Sequence, residues 1–340
     1  MKLSKPKNYN TLVQDIGKIL EEGRNKAFRA VNEIIIKTYW EIGKRIIVFE
    51  QEGKEKAEYG SHLLEKLSKD LKSRYGKGFS RSNIIYMRLF YIKYQKSETL
   101  SHQLSWSHYF ELLKVEEDLE RSFYEKQCLN ETWSVRELRR QINSALFHRL
   151  ALSKNKKEIL KLSKKGQLIK KADDLIKDPY VFEFLGIPEN YNYSEKELEQ
   201  KLINNLKLFL LELGKGFTFV ARQFRISLGN EHFYIDLVFY HRILKCFVLI
   251  DLKIDDIKPA DIGQMNMYLN YFKAEEKSKE DNEPIGIILS ARKDRIKINY
   301  ALGGISNKLF ISKYKFYLPN KKELEDKLRK LITSEHQNIL

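Results

Sequence analysis

Hydrophobic residues in the first half of the chain recur at intervals of three and four positions, which is the period of an α-helix. This pattern predicts long helices within residues 10–50, another helix over about 61–75 and a third helix that Ser80 caps. Gly76 and Gly78 interrupt the pattern between the last two helices. The first half is therefore predicted to be all-α, and its helix, glycine turn and capped helix have the outline of a helix-turn-helix.

The second half alternates between helical patterns and short apolar runs of strand length. A capping box formed by Ser194 and Glu197 opens a helix that is predicted to continue to Gly214. The elements after it are predicted as strands over 217–226, around Asp236 and around Asp251, a helix from Pro259 to about Phe272, a strand over 284–290, strand-like pieces YALGGI and KFYLP, and a helix from about Lys321. The αβββαβ order predicts an α+β domain.

The composition fits a globular protein that carries a large basic charge. Among 340 residues, 42% are hydrophobic and the formal net charge is +16. Such a charge favours a polyanionic partner, most simply nucleic acid, although a general enrichment in lysine would also produce it. The sharpest change in composition is the stretch 154–171, which holds eight lysines and one glutamate. We interpret residues 154–177 as a basic connector between a helical domain over 1–153 and a second domain over 178–340.

Other general features predict a cytoplasmic protein. Cys128 and Cys246 form no metal-binding spacing, which suits a reducing compartment. The first ten residues lack the apolar stretch of a signal peptide. No apolar run approaches the roughly 20 residues that span a bilayer, so no membrane partner is expected.

The candidate chemistry lies in the stretch 231–254, which is predicted to form two adjacent strands. One strand carries Asp236 and the other carries Asp251 and Lys253. If the chain reverses near residues 242–245, Asp236 comes to lie opposite Asp251 or within a residue or two of it. Two close carboxylates repel each other, and a divalent cation such as Mg²⁺ or Mn²⁺ relieves that repulsion. The alternative is a buried ion pair between aspartate and lysine with no metal.

The residues Asp236 and Asp251-Leu252-Lys253 resemble the D…(D/E)-x-K signature of the restriction-endonuclease-like PD-(D/E)XK nucleases. The segments DPYVFEFLGI, FYIDLVFYHR, GQMNMYLNYF and YGKGFSRSNIIYMRLFY resemble, more closely, the YhcG-type family with a DUF1016 region and a PDDEXK nuclease domain. The resemblance implies metal-dependent hydrolysis of DNA to 5′-phosphate and 3′-hydroxyl ends. The family usually has glutamate where this chain has Asp251.

Four further residues are candidates for the same site. Glu212 lies at the edge of the apolar stripe of its predicted helix, and the resemblance suggests it as a third metal-binding carboxylate beside Asp236 and Asp251. A helix-end glutamate with no role in the site is the alternative. The resemblance also places Gln264 over Lys253, and it suggests that Arg222 and Gln223 contact phosphate or water.

Candidate DNA contacts occur in the helical half. Arg81, Asn83 and Arg88 lie near the start of the second helix of the predicted helix-turn-helix, and these residue types contact bases and phosphates. The resemblance also suggests a winged-helix-like region there. Arg139 and Arg140 lie on one side of a later helix and could follow a phosphate backbone. Both groups could equally be solvated helix faces.

Three functions remain compatible with these patterns. The first is a metal-dependent DNA nuclease in phage defence, restriction or repair. The second is a DNA-binding module with a catalytically silent nuclease fold, which the aspartate at position 251 motivates. The third is an interaction subunit that recruits other proteins of a defence system. A homodimer is expected if both strands of DNA are cut.

Overall fold

The computed structural model describes two compact units, residues 1–139 and 140–340. The residues it describes are 8–52, 62–95, 100–101, 103–152, 156–177, 179–188, 192–291, 304–318 and 320–334. The structural division falls before the predicted end of the helical domain at residue 153. The domain boundaries proposed at residues 153 and 178 stay predictions.

The described residues of the first unit form helices and no strand, as the periodicity predicts. The helices are α1 (Tyr9–Glu52), α2 (Leu63–Tyr75), α3 (Arg81–Lys93), α4 (Trp106–Leu112), α5 (Asp118–Glu131) and α6 (Val135–Asn143), of which α6 crosses the division between the units. A single helix thus replaces the several predicted within residues 10–50. Its 44 residues exceed the usual helix length; the segment contains no proline, and Gly17, Gly23 and Gly43 lie within the helix without ending it.

The predicted helix, turn and capped helix are present as α2, the 3₁₀ turn Lys77–Phe79 and α3. Gly76 ends α2 with φ of 94°, a left-handed backbone conformation that glycine adopts without a steric penalty. The Ser80 hydroxyl accepts a hydrogen bond from the Asn83 amide at 3.2 Å, which caps α3. No strand among the described residues of this unit forms a wing, so the winged-helix detail has no support.

The second unit is built on a six-stranded mixed sheet with the order β1-β6-β5-β4-β3-β2. Its strands are β1 (Tyr180–Val181), β2 (Phe217–Leu228), β3 (Glu231–His241), β4 (Cys246–Lys253), β5 (Ile285–Ser290) and β6 (Lys308–Lys315). Its helices are α7 (Leu146–Ala151), α8 (Lys156–Lys165), α9 (Glu195–Asn204), α10 (Leu206–Leu213), α11 (Pro259–Tyr271) and α12 (Lys321–Ser334). Strands β2, β3 and β4 are antiparallel, whereas β4, β5, β6 and β1 are parallel.

Both faces of the sheet are covered by helices, which explains the continuous apolar runs of its central strands. Helices α9 and α10 pack with Val248, Ile250 and Leu252 on one face. Helix α11 packs with Leu249 and Ile288 on the other face. Side chains therefore alternate along β4, with Leu252 on the α9 face and the odd-numbered positions on the α11 face.

Three elements differ from their predictions. The helix predicted from Ser194 to Gly214 is interrupted at Asn205, whose φ of −114° and ψ of 30° end α9 before α10 begins. The last strand is β6, which precedes most of the predicted piece KFYLP, and its buried hydrophobic positions are Leu309, Ile311 and Tyr314. The predicted piece YALGGI lies largely outside the described residues.

Within the part of the chain that the structure describes, no helix combines the length and the apolar character needed to cross a membrane.

Candidate active site

Asp236 and Asp251 lie on adjacent antiparallel strands, as the sequence predicts. Leu237 pairs with Ile250 in the ladder between β3 and β4, so the same register carries Asp236 to the position opposite Asp251. The carboxylate of Asp236 accepts a hydrogen bond from the backbone N–H of Leu252 at 2.8 Å. This bond holds the Asp236 side chain against the strand that carries the second aspartate.

Lys253 contacts Asp251 directly. The two side chains project from the same face of β4, and the Lys253 Nζ lies 2.8 Å from an Asp251 carboxylate oxygen. Asp251 is 4% exposed, so this ion pair is largely withdrawn from water. The same ammonium lies 3.7 Å from the carboxylate of Glu195, at the first turn of α9.

The surroundings of Asp236 and Asp251 carry an excess of negative charge. Burial, followed by the charge of Asp236, raises the pKa of Asp251 to about 7, and Lys253 only partly offsets this. Burial also raises the pKa of Asp236, and the charge of Glu199 adds to that effect. Burial would lower the pKa of Lys253, but the charges of Asp251, Glu195 and Asp236 outweigh it and raise that pKa. The carboxylates are therefore poised to accept a further cation.

Glu199 is a member of the site that sequence reasoning missed. It is 2% exposed and reaches the site from α9, where its carboxylate accepts a hydrogen bond from the Gln223 side-chain amide. The same amide donates to Asp236 at 3.1 Å, so Gln223 bridges the two carboxylates. The other Glu199 oxygen is buried with no hydrogen-bond partner, although Arg222 Nε lies 3.3 Å away. The available signal was the pair Glu195 and Glu199, four residues apart on the helix that precedes the aspartate strands.

Gln223 adopts an unusual backbone conformation at this point. Its φ of 46° lies in the left-handed region, which is uncommon for a residue with a side chain and rare inside a strand. The ladder between β2 and β3 is irregular nearby, between Phe219 and Ala221. The strained conformation accompanies the side chain's two hydrogen bonds to Asp236 and Glu199. Its neighbour Arg222 donates to Gln200 at 2.7 Å and is 40% exposed.

Glu212 does not join the aspartate pair. Its fully buried carboxylate lies 2.6 Å from Arg149 and 3.4 Å from Arg140, and it accepts a hydrogen bond from the Val181 amide at 3.0 Å. Burial alone would raise its pKa, but the charges of Arg149, Lys177 and Arg140 outweigh burial and lower it. The prediction assumed one continuous helix, and the interruption at Asn205 changes which residues face the aspartates. Glu212 therefore stabilises the fold through an ion-pair cluster.

Gln264 and Tyr268 lie on one face of α11. This helix covers the sheet face that carries the odd-numbered positions of β4, including Asp251 and Lys253. Gln264 hydrogen-bonds the side chain of Tyr268, whose hydroxyl also donates to the Tyr234 carbonyl at 3.1 Å. Burial and the charges of Asp251 and Asp236 raise the pKa of Tyr268 to about 12. Gln264 is thus close to the site through Tyr268, and its direct contact with Lys253 stays a prediction.

The donor set fits a hard divalent cation. Carboxylate oxygens are the ligands that Mg²⁺ and Mn²⁺ prefer, and the buried Glu199 oxygen that accepts no hydrogen bond has only the partly exposed Arg222, 3.3 Å away, as its cation among the described residues. Among the described residues, Glu199, Asp236 and Asp251 do not together bring oxygens within 4.8 Å of one another. The two aspartates are therefore the primary candidate ligands, with Glu199 as an outer carboxylate.

Comparison with known proteins places this geometry in a family. The YhcG PDDEXK nuclease domain matches residues 173–329, and the DUF1016 N-terminal domain matches residues 15–149. A relative from Escherichia coli (strain K12), named “Putative nuclease YhcG”, is 39% identical over 352 aligned positions that cover 94% of this chain and 93% of the relative. The chain belongs to the YhcG family.

Two solved structures resemble part of this YhcG-family chain. A repair endonuclease from Pyrococcus abyssi is 17% identical and covers 39% of this chain and 50% of its own, with a TM-score of 0.26. EndoMS in its apo form is 15% identical and covers 38% of this chain and 49% of its own, also with a TM-score of 0.26. At that score the likeness carries no weight for the function. The family assignment rests on the sequence matches.

The predicted DNA contacts of the DUF1016 region are mostly engaged within the fold. Asn83 accepts a hydrogen bond from Trp106 Nε1 at 2.7 Å and donates to the Gly78 carbonyl, so both ends of its amide are used. Arg88 forms an ion pair with Glu50 at 2.8 Å. Asn83 is thus a structural residue of the turn, and Arg88 is partly neutralised.

The other predicted arginines differ in accessibility. Arg81 is exposed at the start of α3. Arg139 is 56% exposed and lies 2.7 Å from Glu111. Arg140 is only 13% exposed and pairs with Glu183 at 2.8 Å, in addition to Glu212. The prediction that Arg140 follows DNA is therefore replaced by a role in the buried ion-pair cluster, since its guanidinium faces two carboxylates rather than solvent.

Proposed function

We propose that this chain is a divalent-metal-dependent nuclease that hydrolyses phosphodiester bonds in DNA. The observation that carries the proposal is the convergence of Asp236, Asp251 and Lys253 on adjacent strands of a PDDEXK domain. Two acidic ligands with an adjacent ammonium are suited to bind a cation and an anionic phosphate together.

Each residue of the site has a distinct proposed role. Asp236 and Asp251 would hold Mg²⁺ or Mn²⁺, which supplies Lewis-acid chemistry and lowers the pKa of a bound water. Lys253, which is ion-paired with Asp251, would orient the attacking water and offset the charge that develops on the phosphate. Gln223 holds Asp236 through its 3.1 Å hydrogen bond and thereby fixes one ligand. Glu199 adds negative charge near Asp236 and strengthens the attraction for a cation.

The basic charge of the chain supports DNA as the substrate. A formal charge of +16 attracts the phosphate backbone, and such binding weakens steeply with salt. Exposed Arg81 and half-exposed Arg139 are the proposed backbone contacts in the helical unit. We propose cytoplasmic action in phage defence, restriction or repair, in which cleavage of foreign or damaged DNA is the required chemistry.

The test is cleavage of plasmid, linear and branched DNA with Mg²⁺ or Mn²⁺. Asp236→Ala and Lys253→Ala are expected to abolish cleavage while the protein stays folded. Asp173→Ala and Lys207→Ala remove the same types of charge at exposed positions away from the site, and they are expected to retain activity. Equal activity of the wild type and both site variants would refute the assignment.

A second candidate is a DNA-binding module with a silent nuclease fold. The observation that favours it is the 2.8 Å pair between Lys253 and Asp251, which neutralises one carboxylate without metal. Titration calorimetry with Mn²⁺ separates the two functions. A catalytic site binds Mn²⁺ in the wild type and not in Asp236→Ala, whereas a silent module binds DNA but no Mn²⁺.

A further inference from the structure

Helix α1 exposes large apolar side chains along its first half. The side chains of Leu12, Ile16, Ile19, Leu20 and Ile34 are 41% to 65% exposed. Every residue from 18 to 31 is exposed, so this stretch of the helix extends into solvent. The second half of the same helix is different, because Ile36, Trp40 and Ile46 are buried. A contiguous exposed apolar stripe of this length is unusual in a monomer and typical of an interface.

The exposed residues form one continuous stripe. At about 100° per residue, positions 12, 16, 19, 23, 27, 30 and 34 fall within an arc of about 80°. The larger residues lie at the two ends of this stripe, and its centre holds Gly23, Ala27 and Ala30. Nothing lies within 4 Å of a Cβ placed on Gly23, so the centre of the stripe is open to a partner. Small residues allow another helix to approach closely at that point.

The charges on this segment favour a second copy over nucleic acid as its partner. Residues 9–34 carry four acidic and four basic side chains, so the segment is neutral in a chain with a net charge of +16. Three of the acidic residues (Asp15, Glu21 and Glu22) precede Gly23, and three of the basic residues follow it. An antiparallel partner with the same sequence would place the acidic half of each helix beside the basic half of the other.

We propose that residues 9–34 of α1 pair with the same segment of a second chain in an antiparallel helix pair centred on Gly23. In that register Ile16 faces Ala30 and Ile19 faces Ala27, so these large residues meet small ones near the centre, while Leu12 faces Ile34 at each end. The segment is about 39 Å long at 1.5 Å per residue, which accommodates more than three heptads. The inference does not depend on nuclease activity. The helix pair would bring two nuclease domains into one particle, which suits cleavage of both strands of DNA.

Light scattering after size exclusion measures the assembly directly. The chain of 40.4 kDa is expected to form a particle of about 81 kDa. Ile16→Glu with Ile19→Glu is expected to give a monomer that is still folded, because both side chains are already exposed. The matched control is Gln14→Glu with Asn25→Glu, which adds the same charge on the opposite side of α1 and is expected to remain a dimer. A wild-type monomer at 100 μM, or a dimer in the isoleucine variant, overturns the proposal.

A cysteine variant tests the antiparallel register. Gly23→Cys is expected to form a disulfide between two chains under mild oxidation, since the two positions meet at the axis. The native Cys128 and Cys246 are buried and do not compete. Residue 14 lies on the far side of α1, so the Gln14→Cys variant is expected to run as a monomer on a denaturing gel. Cross-linking of both variants to the same extent, or of neither, contradicts the register.

Discussion

Replacing Glu212 by glutamine distinguishes a structural glutamate from a catalytic one. The substitution keeps the size of the side chain and removes its charge. Fully buried Arg149, now 2.6 Å from that carboxylate, would lose its charged partner and face an amide instead. Breaking a buried ion pair from one side costs about 3–5 kcal/mol, because the remaining charge is left uncompensated. Arg140 loses a second contact at 3.4 Å, which acts in the same direction.

The expected loss of stability is large enough to measure by thermal unfolding. For a unit of about 200 residues, 1 kcal/mol shifts Tm by roughly 2–4 °C. Glu212→Gln is therefore expected to lower Tm by about 6–20 °C in differential scanning calorimetry. At a temperature where the variant is still folded, its Mn²⁺ affinity is expected to equal that of the wild type. The buried ion-pair cluster lies apart from the aspartates in its contacts, so its loss does not remove a metal ligand.

Glu199→Gln is the matched control, since it makes the same change at another buried glutamate. One Glu199 oxygen has no hydrogen-bond partner, and its nearest cation, Arg222, is 40% exposed. Its substitution is expected to change Tm by less than about 3 °C, which corresponds to under 1 kcal/mol. It is also expected to weaken Mn²⁺ binding. The reasoning is refuted if Glu212→Gln retains the wild-type Tm and loses Mn²⁺ affinity instead.

Further predictions concern pH, DNA, the strained strand and metal. The pKa of Asp251 is about 7 in the folded protein and 3.8 in an ordinary aspartate, so the folded state binds this proton more tightly than the unfolded chain. The resulting stabilisation of the metal-free protein is complete below pH 3.8 and is lost as the pH rises through about 7. Metal-free protein should therefore lose roughly 2–3 kcal/mol between pH 5 and pH 8 in urea unfolding, and Asp251→Asn should lose much less. Exposed Arg81→Ala should reduce the slope of log affinity against log salt by about 1, whereas Arg88→Ala, whose guanidinium pairs with Glu50, should change that slope less. Gln223→Gly should weaken Mn²⁺ binding in calorimetry with little change in Tm, because relief of the left-handed backbone, about 1 kcal/mol, offsets the lost hydrogen bonds. Mn²⁺ at 100 times its Kd should stabilise metal-free wild type by about 2.7 kcal/mol, and the absence of any such shift would contradict metal binding.

The aspartate pair was predictable because two simple rules determine it. Alternation along a strand puts Asp251 and Lys253 on one face, and a short reversal near residues 242–245 sets the register of the neighbouring strand. The structure places both features as expected, with Lys253 2.8 Å from Asp251. Local pattern is sufficient here because the partners are close in sequence and the strands are covered by apolar residues.

The remaining contacts depend on information that the local pattern lacks. The apolar period continues through Asn205, and no glycine or proline marks the interruption between α9 and α10. The partner of Glu212 is Arg149, which is 63 residues away and arrives only when α7 packs in the second unit. The left-handed backbone of Gln223 is likewise invisible in the sequence, because glutamine has no preference for it.

The charge balance of the site supports a divalent cation more strongly than any single contact does. Among the described residues, four carboxylates lie at this site (Asp236, Asp251, Glu195 and Glu199), and two cations, Lys253 and Arg222, form ion pairs with them. Ionised side chains therefore leave two negative charges in excess. Burial is the main cause of the raised pKa values of both aspartates, and the neighbouring negative charges, Asp236 on Asp251 and Glu199 on Asp236, add to it. The Glu212 cluster has the opposite balance and a lowered pKa, because its guanidinium groups already supply the compensating charge. One cation of charge +2 would neutralise the first site, and it has no such role at the second.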